Sequence, residues 1–220
     1  HPTGKYQLTE HNAETWSEQE LDQALQTAYE QPFDLSSSPA LRVDLFLRSP
    51  EHRILLLTMH HLLGDAGSMD IFGNELLTLW QAGEEAALPL ISGSYADFIR
   101  EEQTMLAGPR GEELTAFWKN SLEGCATELS LQTDFPRPAV QSYNGASIPY
   151  TFSRELSQEL KQLARQEKTT LFNLMLTTFQ ILLHRYTGQE DILVGTPTAA
   201  GRQDARFSKV VGYFVNPVVL

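Results

Sequence analysis

Apolar residues recur at helical spacing at Leu21, Ala24, Leu25 and Ala28, directly behind Ser17-Glu18-Gln19-Glu20. That period is the mark of an amphipathic helix. Ser17 and Glu20 form a capping box, in which each satisfies the other's orphan amide, and Pro32 stops the helix. Residues 1–15 are polar and expected to be irregular. Leu41, Val43, Leu45 and Leu47 alternate with mostly polar residues, which predicts a half-buried strand, and Ser49-Pro50 turns the chain. Residues 53–60 (RILLLTMH) are almost continuously apolar, so they predict a central strand covered on both faces. The two strands are expected to form an antiparallel hairpin.

Gly64-Asp65-Ala66-Gly67 breaks the second strand. Ser68 is the expected cap of a helix with Met69, Phe72, Leu76 and Leu79 on one side and Gly83 at its end. A further helix opens at Ser94 with Asp97 as box partner and carries Tyr95, Phe98, Ile99 and Leu106. Another, over residues 112–122, is expected to bury Leu114, Phe117 and Trp118. Residues 123–146 lack periodicity and hold Pro136, Pro138 and Gly145, which marks a linker. Ile148 to Phe152 reads as a strand, and Ser153 caps a helix with Leu156, Leu160 and Leu163. Thr169 or Thr170 opens a last helix, apolar on nearly every side (Leu171, Leu174, Met175, Phe179, Leu182, Leu183) and therefore expected to be buried. Asp191 to Thr196 and residues 211–216 read as strands. No internal repeat is present, and the mixture predicts α/β layers.

Composition narrows the chemistry. Lys and Arg number 16 against 28 Asp and Glu, a net charge of −12. Such a chain is a poor candidate for binding nucleic acid or an anionic membrane through its charge. The single cysteine, Cys125, excludes an internal disulfide and a multi-cysteine zinc or iron–sulfur site, and is expected to be an ordinary buried thiol. A reduced, cytoplasmic compartment is the natural expectation. No apolar run approaches the length of a membrane span. The chain starts at His1 and ends in the apolar Val218-Val219-Leu220, as expected of a piece of a longer polypeptide.

The informative stretch is Met59-His60-His61-Leu62-Leu63-Gly64-Asp65-Ala66-Gly67-Ser68. Successive side chains on a strand point to opposite faces, so His60 and His61 do not share a partner. Asp65 lies beyond the turn and can fold back toward the strand end. Four readings fit: two structural histidines, a metal site needing further ligands, a serine hydrolase lacking the G-x-S-x-G elbow, or a histidine acting as base or positioner in acyl transfer.

This segment closely resembles the HHxxxDG motif of condensation domains of nonribosomal peptide synthetases. Tyr95-Ala96-Asp97-Phe98 resembles that family's Y-x-D-F motif, and Val211-Gly212-Tyr213-Phe214-Val215-Asn216 its V-G-x-F-V-N motif, in the same order. Gly195-Thr196-Pro197 with Gly201-Arg202 also matches. The resemblance implies an α/β, chloramphenicol-acetyltransferase-like two-lobe sandwich, present in part. Residues 1–135 would belong to the N-terminal lobe, 136–146 to the linker and 147–220 to the C-terminal lobe. Full domains of this family are about twice this size, so the chain is not assumed active by itself.

The implied reaction joins a donor acyl or peptidyl thioester to an acceptor aminoacyl thioester. Each is carried on the phosphopantetheine of a partner carrier protein, alongside adjacent synthetase domains of the same polypeptide. No intrinsic cofactor, metal, nucleic acid or membrane is implied. The family's functional histidine corresponds to His61, as general base, as positioner of the amine, or as stabiliser of the tetrahedral intermediate; positioning with modest proton transfer is favoured. The resemblance pairs Asp65 with an arginine, for which Arg202 is the match, and makes His60 a shaping residue. Ser68 is expected as a helix cap, Tyr95 and Asp97 as helix-start and packing residues, and Asn216 as lining the cleft or forming a turn. Two departures stand out: Ala66 replaces the family's glycine, with backbone strain if that position needs a positive φ, and Gly67 replaces its bulky aromatic. Both are candidate tunnel-lining positions. The competing functions are a dehydrating or epimerising relative acting on one tethered chain, a stand-alone acyl-CoA transferase, and a non-catalytic platform that docks carrier proteins.

Overall fold

The structure is a computed structural model that describes residues 7–37, 39–83, 86–143 and 145–220. It divides into two compact units, one formed by residues 1–113 with 197–217, the other by 114–196 with 218–220. The first unit holds a three-stranded sheet of β1 (Gln7–Asn12), β2 (Leu41–Leu47) and β3 (Arg53–Met59), in the order β1-β2-β3. β1 runs parallel to β2, and β3 runs antiparallel to it, with Leu45 opposite Leu55 and Phe46 opposite Ile54.

Helix α1 (Glu18–Glu30) starts at the Ser17–Glu20 capping box and packs its apolar stripe on one sheet face. Ala13, Leu21 and Phe46 are buried there against Trp16, Ala24, Leu25, Ala28, Ile54 and Leu56. Arg42 on β2 closes the far end of α1. Its guanidinium donates to the carbonyls of Ala28, Gln31 and Pro32 and lies 3.9 Å from the centre of the Phe33 ring. It thereby satisfies orphan carbonyls that α1, with no basic residue in its last turn, leaves open.

Three readings of the strand pattern are corrected here. Residues 7–12 are strand, not irregular; the first six residues of that stretch lie outside the described ones. QLTEHN has little apolar signal because β1 is recruited by backbone pairing to β2. The face of β2 that meets α1 is not the leucine face but the one bearing Asp44 and Phe46. Asp44 is tolerated there because His11 Nε2 donates to it at 2.8 Å, with the His11 ring stacked on Phe46. Finally, β3 is an edge strand among the described residues, and its Leu55 is partly exposed.

α2 (Ala66–Ala82) and α3 (Tyr95–Leu106) complete the first unit with a short 3-10 turn over Ala200–Gln203. α4 (Pro109–Leu122) starts earlier than expected because Pro109 suits a first helical turn, and its Phe117 is exposed instead of buried.

In the second unit, α5 (Arg154–Gln166) is capped by Ser153 and α6 (Leu171–Thr187) by Thr170, with Gly188 left-handed at the end of α6. α6 is not buried as its composition suggested: only Leu183 is, while Phe172, Phe179, Ile181 and Leu182 are about half exposed, because α5 is the helix packed beside it. Ile148–Phe152 forms no strand, having no partner among the described residues. Cys125 is half-buried, not buried. The last strands are displaced from their expected places, to β4 (Gly195–Thr198) and β5 (Asn216–Val219), which pair with each other. Residues 211–215 stay irregular because their backbone groups bond to α2 and α3 side chains instead of a strand (below).

Candidate active site

The turn after β3 joins the first unit's sheet to α2. His60 and His61 follow the strand directly, and their rings meet different partners, Phe33 and Tyr213. The His60 Nδ1 accepts the Leu62 amide at 3.1 Å, its amide donates to Ala40 O, and its ring meets Phe33 edge-on, so it shapes the turn. His61 is exposed and its Nδ1 lies 2.9 Å from the Gly64 carbonyl. A carbonyl only accepts, so Nδ1 carries the proton. In the neutral ring Nε2 is then an unprotonated acceptor.

Gly64 is buried at a position where a Cβ would lie 2.6 Å from Ser68 Cβ and 2.7 Å from its Oγ. The next residue, Asp65, is the N-cap of α2, and Ser68 is its box partner at the third helical position. This corrects the assignment of Ser68 as the cap. Ala66 is therefore the first helical residue, exposed and free of positive φ, which removes the expected backbone strain.

Asp65 is 2% exposed and receives four N–H donors. Oδ1 accepts from the Ser68 amide (2.9 Å) and Arg202 Nη2 (2.5 Å), with Ser68 Oγ 3.1 Å away. Oδ2 accepts from Arg202 Nε (3.2 Å) and the Phe214 amide (3.1 Å). Arg202 thus grips the carboxylate with a two-pronged fork. It also donates to the carbonyls of Val210 and Gly212 and sits 4.5 Å from the centre of the Phe214 ring. Ser68 Oγ accepts the Gly212 amide at 3.0 Å and faces the Gly212 carbonyl at 2.9 Å, nearer than Asp65 Oδ1, so its one proton favours Gly212. Tyr95, the first residue of α3, donates its phenol to the Tyr213 carbonyl at 2.8 Å. Phe98, Phe207 and Phe214 pack into one aromatic cluster with Tyr95 against it.

Residues 210–214 are therefore tied to the start of α2 through residues 137 to 149 positions apart in sequence. Asn216 stands outside this network, exposed at the start of β5. Asp97 serves the Ser94 box of α3. Sequence reasoning missed that Ser68 and Tyr95 reach Gly212 and Tyr213, and that the Tyr213 ring meets that of His61 (centroids 5.2 Å apart, planes at 80°). The aromatic content of Val211–Asn216 was the only available signal. Among the described residues no three His, Cys, Asp or Glu side chains gather to hold a metal ion, and no helix is long and apolar enough to cross a membrane.

Burial pushes the Asp65 carboxyl up, but hydrogen bonds from Arg202, Ser68 and Phe214 and the guanidinium charge outweigh it and hold the group below the usual carboxylate value. A depressed folded value adds stability that is complete above the unfolded value of about 3.9 and lost as pH falls through the folded one. Melting temperature should therefore drop more steeply below about pH 4 in the native protein than in Asp65→Asn; equal acid slopes would refute this coupling.

Gly67 has a second consequence. A Cβ there would lie 2.8 Å from Arg202 Nε, and the guanidinium is too firmly held to retreat. Gly67→Ala should destabilise by about 1–3 kcal/mol. Gly73→Ala in the same helix, where a Cβ meets nothing within 4 Å, should stabilise by about 0.5–1 kcal/mol. Urea midpoints of the two variants moving in the same direction would contradict the packing described.

The family model described as Condensation domain matches residues 1–220. Gramicidin S synthase 2 of Brevibacillus brevis is 37% identical over 92% of this chain, which spans 4% of that protein. Phosphinothricin tripeptide synthetase of Streptomyces viridochromogenes is 40% identical over 86% of this chain and 16% of its own length. A crystal structure of a holo four-domain nonribosomal peptide synthetase bound to AMP and glycine superposes with a TM-score of 0.82 at 28% identity, over 98% of this chain and 16% of that one. The epimerization domain from the third module of tyrocidine synthetase B shares the fold, with a TM-score of 0.81 at 20% identity, over 98% of this chain and 51% of that one.

Proposed function

Because the chain belongs to the condensation-domain family and shares its α/β, chloramphenicol-acetyltransferase-like fold, we propose that it carries the reacting histidine of an amide-forming site in a nonribosomal peptide synthetase. The observation that supports this reading is the state of His61: an exposed ring with Nδ1 committed to Gly64 and Nε2 left as an acceptor. The substrates are a donor acyl or peptidyl thioester and an acceptor aminoacyl thioester. Each is tethered through phosphopantetheine to a carrier protein, in the cytoplasm and beside further synthetase domains.

The acceptor amine attacks the donor carbonyl carbon. A C–N bond forms, the C–S bond breaks, and the electron pair leaves on sulfur. The amine proton passes to His61 Nε2 and from there to the departing thiolate, leaving an amide on the acceptor arm and a free thiol on the donor arm. An α-amine with a pKa of about 7.7–8.0 is already about one-tenth neutral near pH 7. His61 therefore acts chiefly by orienting the amine, for well-oriented reactants gain about 7–11 kcal/mol. Asp65, Arg202 and Ser68 position the turn without touching substrate, and His60 shapes it. Ala66, Gly67 and Asn216 border the substrate passage. In this reading residues 1–135 contribute to the N-terminal lobe and 147–220 to the C-terminal lobe, joined through 136–146.

Intact-protein mass spectrometry of the synthetase carrying this chain, mixed with loaded donor and acceptor carriers, tests the proposal. Gain of the donor mass on the acceptor carrier supports amide formation. Loss of one water from a single carrier would replace it with a dehydrating activity, and no change on either carrier would leave a docking role in its place.

A further inference from the structure

Tyr213 is the residue whose placement the motif comparison leaves without a task. Its neighbours Gly212 and Phe214 are buried, while its own side chain turns the other way, toward His61. Three consecutive backbone positions are pinned. Ser68 Oγ bonds both Gly212 backbone groups, the Tyr95 phenol holds the Tyr213 carbonyl, and Asp65 Oδ2 holds the Phe214 amide. The Cα–Cβ direction of Tyr213 is thereby set by these bonds, those to Gly212 and Phe214 being buried, and the ring lies at 80° to His61 with 5.2 Å between centroids. His61 has one polar tether, at Nδ1. A single hydrogen bond leaves an exposed imidazole free to swing about its own side-chain bonds, and an aromatic wall beside it removes that freedom.

We infer that Tyr213 is a positioning residue for His61: its ring holds the imidazole in the orientation that keeps Nδ1 on Gly64 and Nε2 available to a substrate. This rests on the proposed role of His61. It gives the Asp65–Ser68–Arg202 cluster a means of acting on the reaction without touching it, since the cluster fixes the backbone that carries Tyr213. Among the described residues no hydrogen bond holds the Tyr213 hydroxyl, so the ring and not the hydroxyl does the positioning.

The test compares Tyr213→Ala, Tyr213→Leu and Tyr213→Phe. In the 220-residue chain labelled with 15N-histidine, the native His61 should show the shifts of a single Nδ1–H tautomer. The Ala and Leu variants should show averaged shifts, and Phe should restore the native pattern. In the synthetase with loaded carriers, Ala and Leu should lower kcat about tenfold, on the scale of one lost aromatic pair, with acceptor KM little changed; Phe should recover most of the rate. Leu keeps bulk at the site, so it answers the question if Ala melts early. A single unaltered tautomer in Ala and Leu, or failure of Phe to rescue, would overturn the inference. Absence of transfer in the native protein would instead sink the proposed reaction, while the tautomer measurement still decides the positioning role.

Discussion

His61→Ala should lower donor-to-acceptor transfer by about 10²–10⁴-fold while shifting the melting temperature by no more than about 2 °C. The two halves of this expectation have separate physical sources. The ring is exposed and makes one hydrogen bond, so the fold loses little with it. The reaction loses the imidazole of the turn whose Nε2 is left as an acceptor, since the His60 Nδ1 accepts the Leu62 amide and its proton therefore sits on Nε2. Transfer is read in a single turnover by mass spectrometry. Raising the pH above about 8, where the α-amine is neutral, separates the two roles. A defect that disappears belongs to deprotonation of the free ammonium, whereas a defect that persists belongs to the bound amine, its orientation and the proton it gives up during attack. Transfer within twofold of native at every pH would remove His61 from the mechanism. His60→Ala should act through stability and leave the rate of the folded fraction nearly intact.

Asp65→Ala should destabilise the protein by about 3–5 kcal/mol, or roughly 6–20 °C in melting temperature. The carboxylate is almost wholly buried, and its removal leaves the Arg202 fork and the Ser68 and Phe214 amides without their acceptor. Arg202→Ala should cost a similar amount, because it strands the carboxylate and frees residues 210–214. The double variant should lose less than the sum of the two, since the second deletion removes the charge that the first left unpaired. Denaturation of the three variants measures this directly. An Asp65→Ala protein that melts normally yet transfers nothing would move Asp65 from positioning to direct catalysis.

Much of the local structure was legible in the chain. Capping boxes at Ser17–Glu20 and Ser94–Asp97, the caps at Ser153 and Thr170, and the β2–β3 hairpin all stand where the residues indicated. These are interactions between residues a few positions apart, and local sequence encodes them fully. β1 was not legible, because six mostly polar residues became a strand only through the backbone of β2. The buried face of β2 was misread for a related reason. Alternation names two faces but cannot say which one a helix will cover, and Asp44 could enter only because His11 arrives from another strand. The exposed flanks of α6 show the converse, that an apolar helix is buried only to the extent that partners exist.

By itself, then, the sequence determined the helices and most of their caps, the turn that carries two adjacent histidines, and the family, because short-range caps and ordered motifs need no distant partner. The resemblance had matched Arg202 to Asp65, but only the tertiary structure decided that Asp65 and not Ser68 caps α2, that residues 210–214 close on that helix start, and that the Tyr213 ring meets that of His61. The cap joins residues three apart, but the other contacts span well over a hundred residues, and a buried charge closes on its partner by geometry only after the chain has folded back.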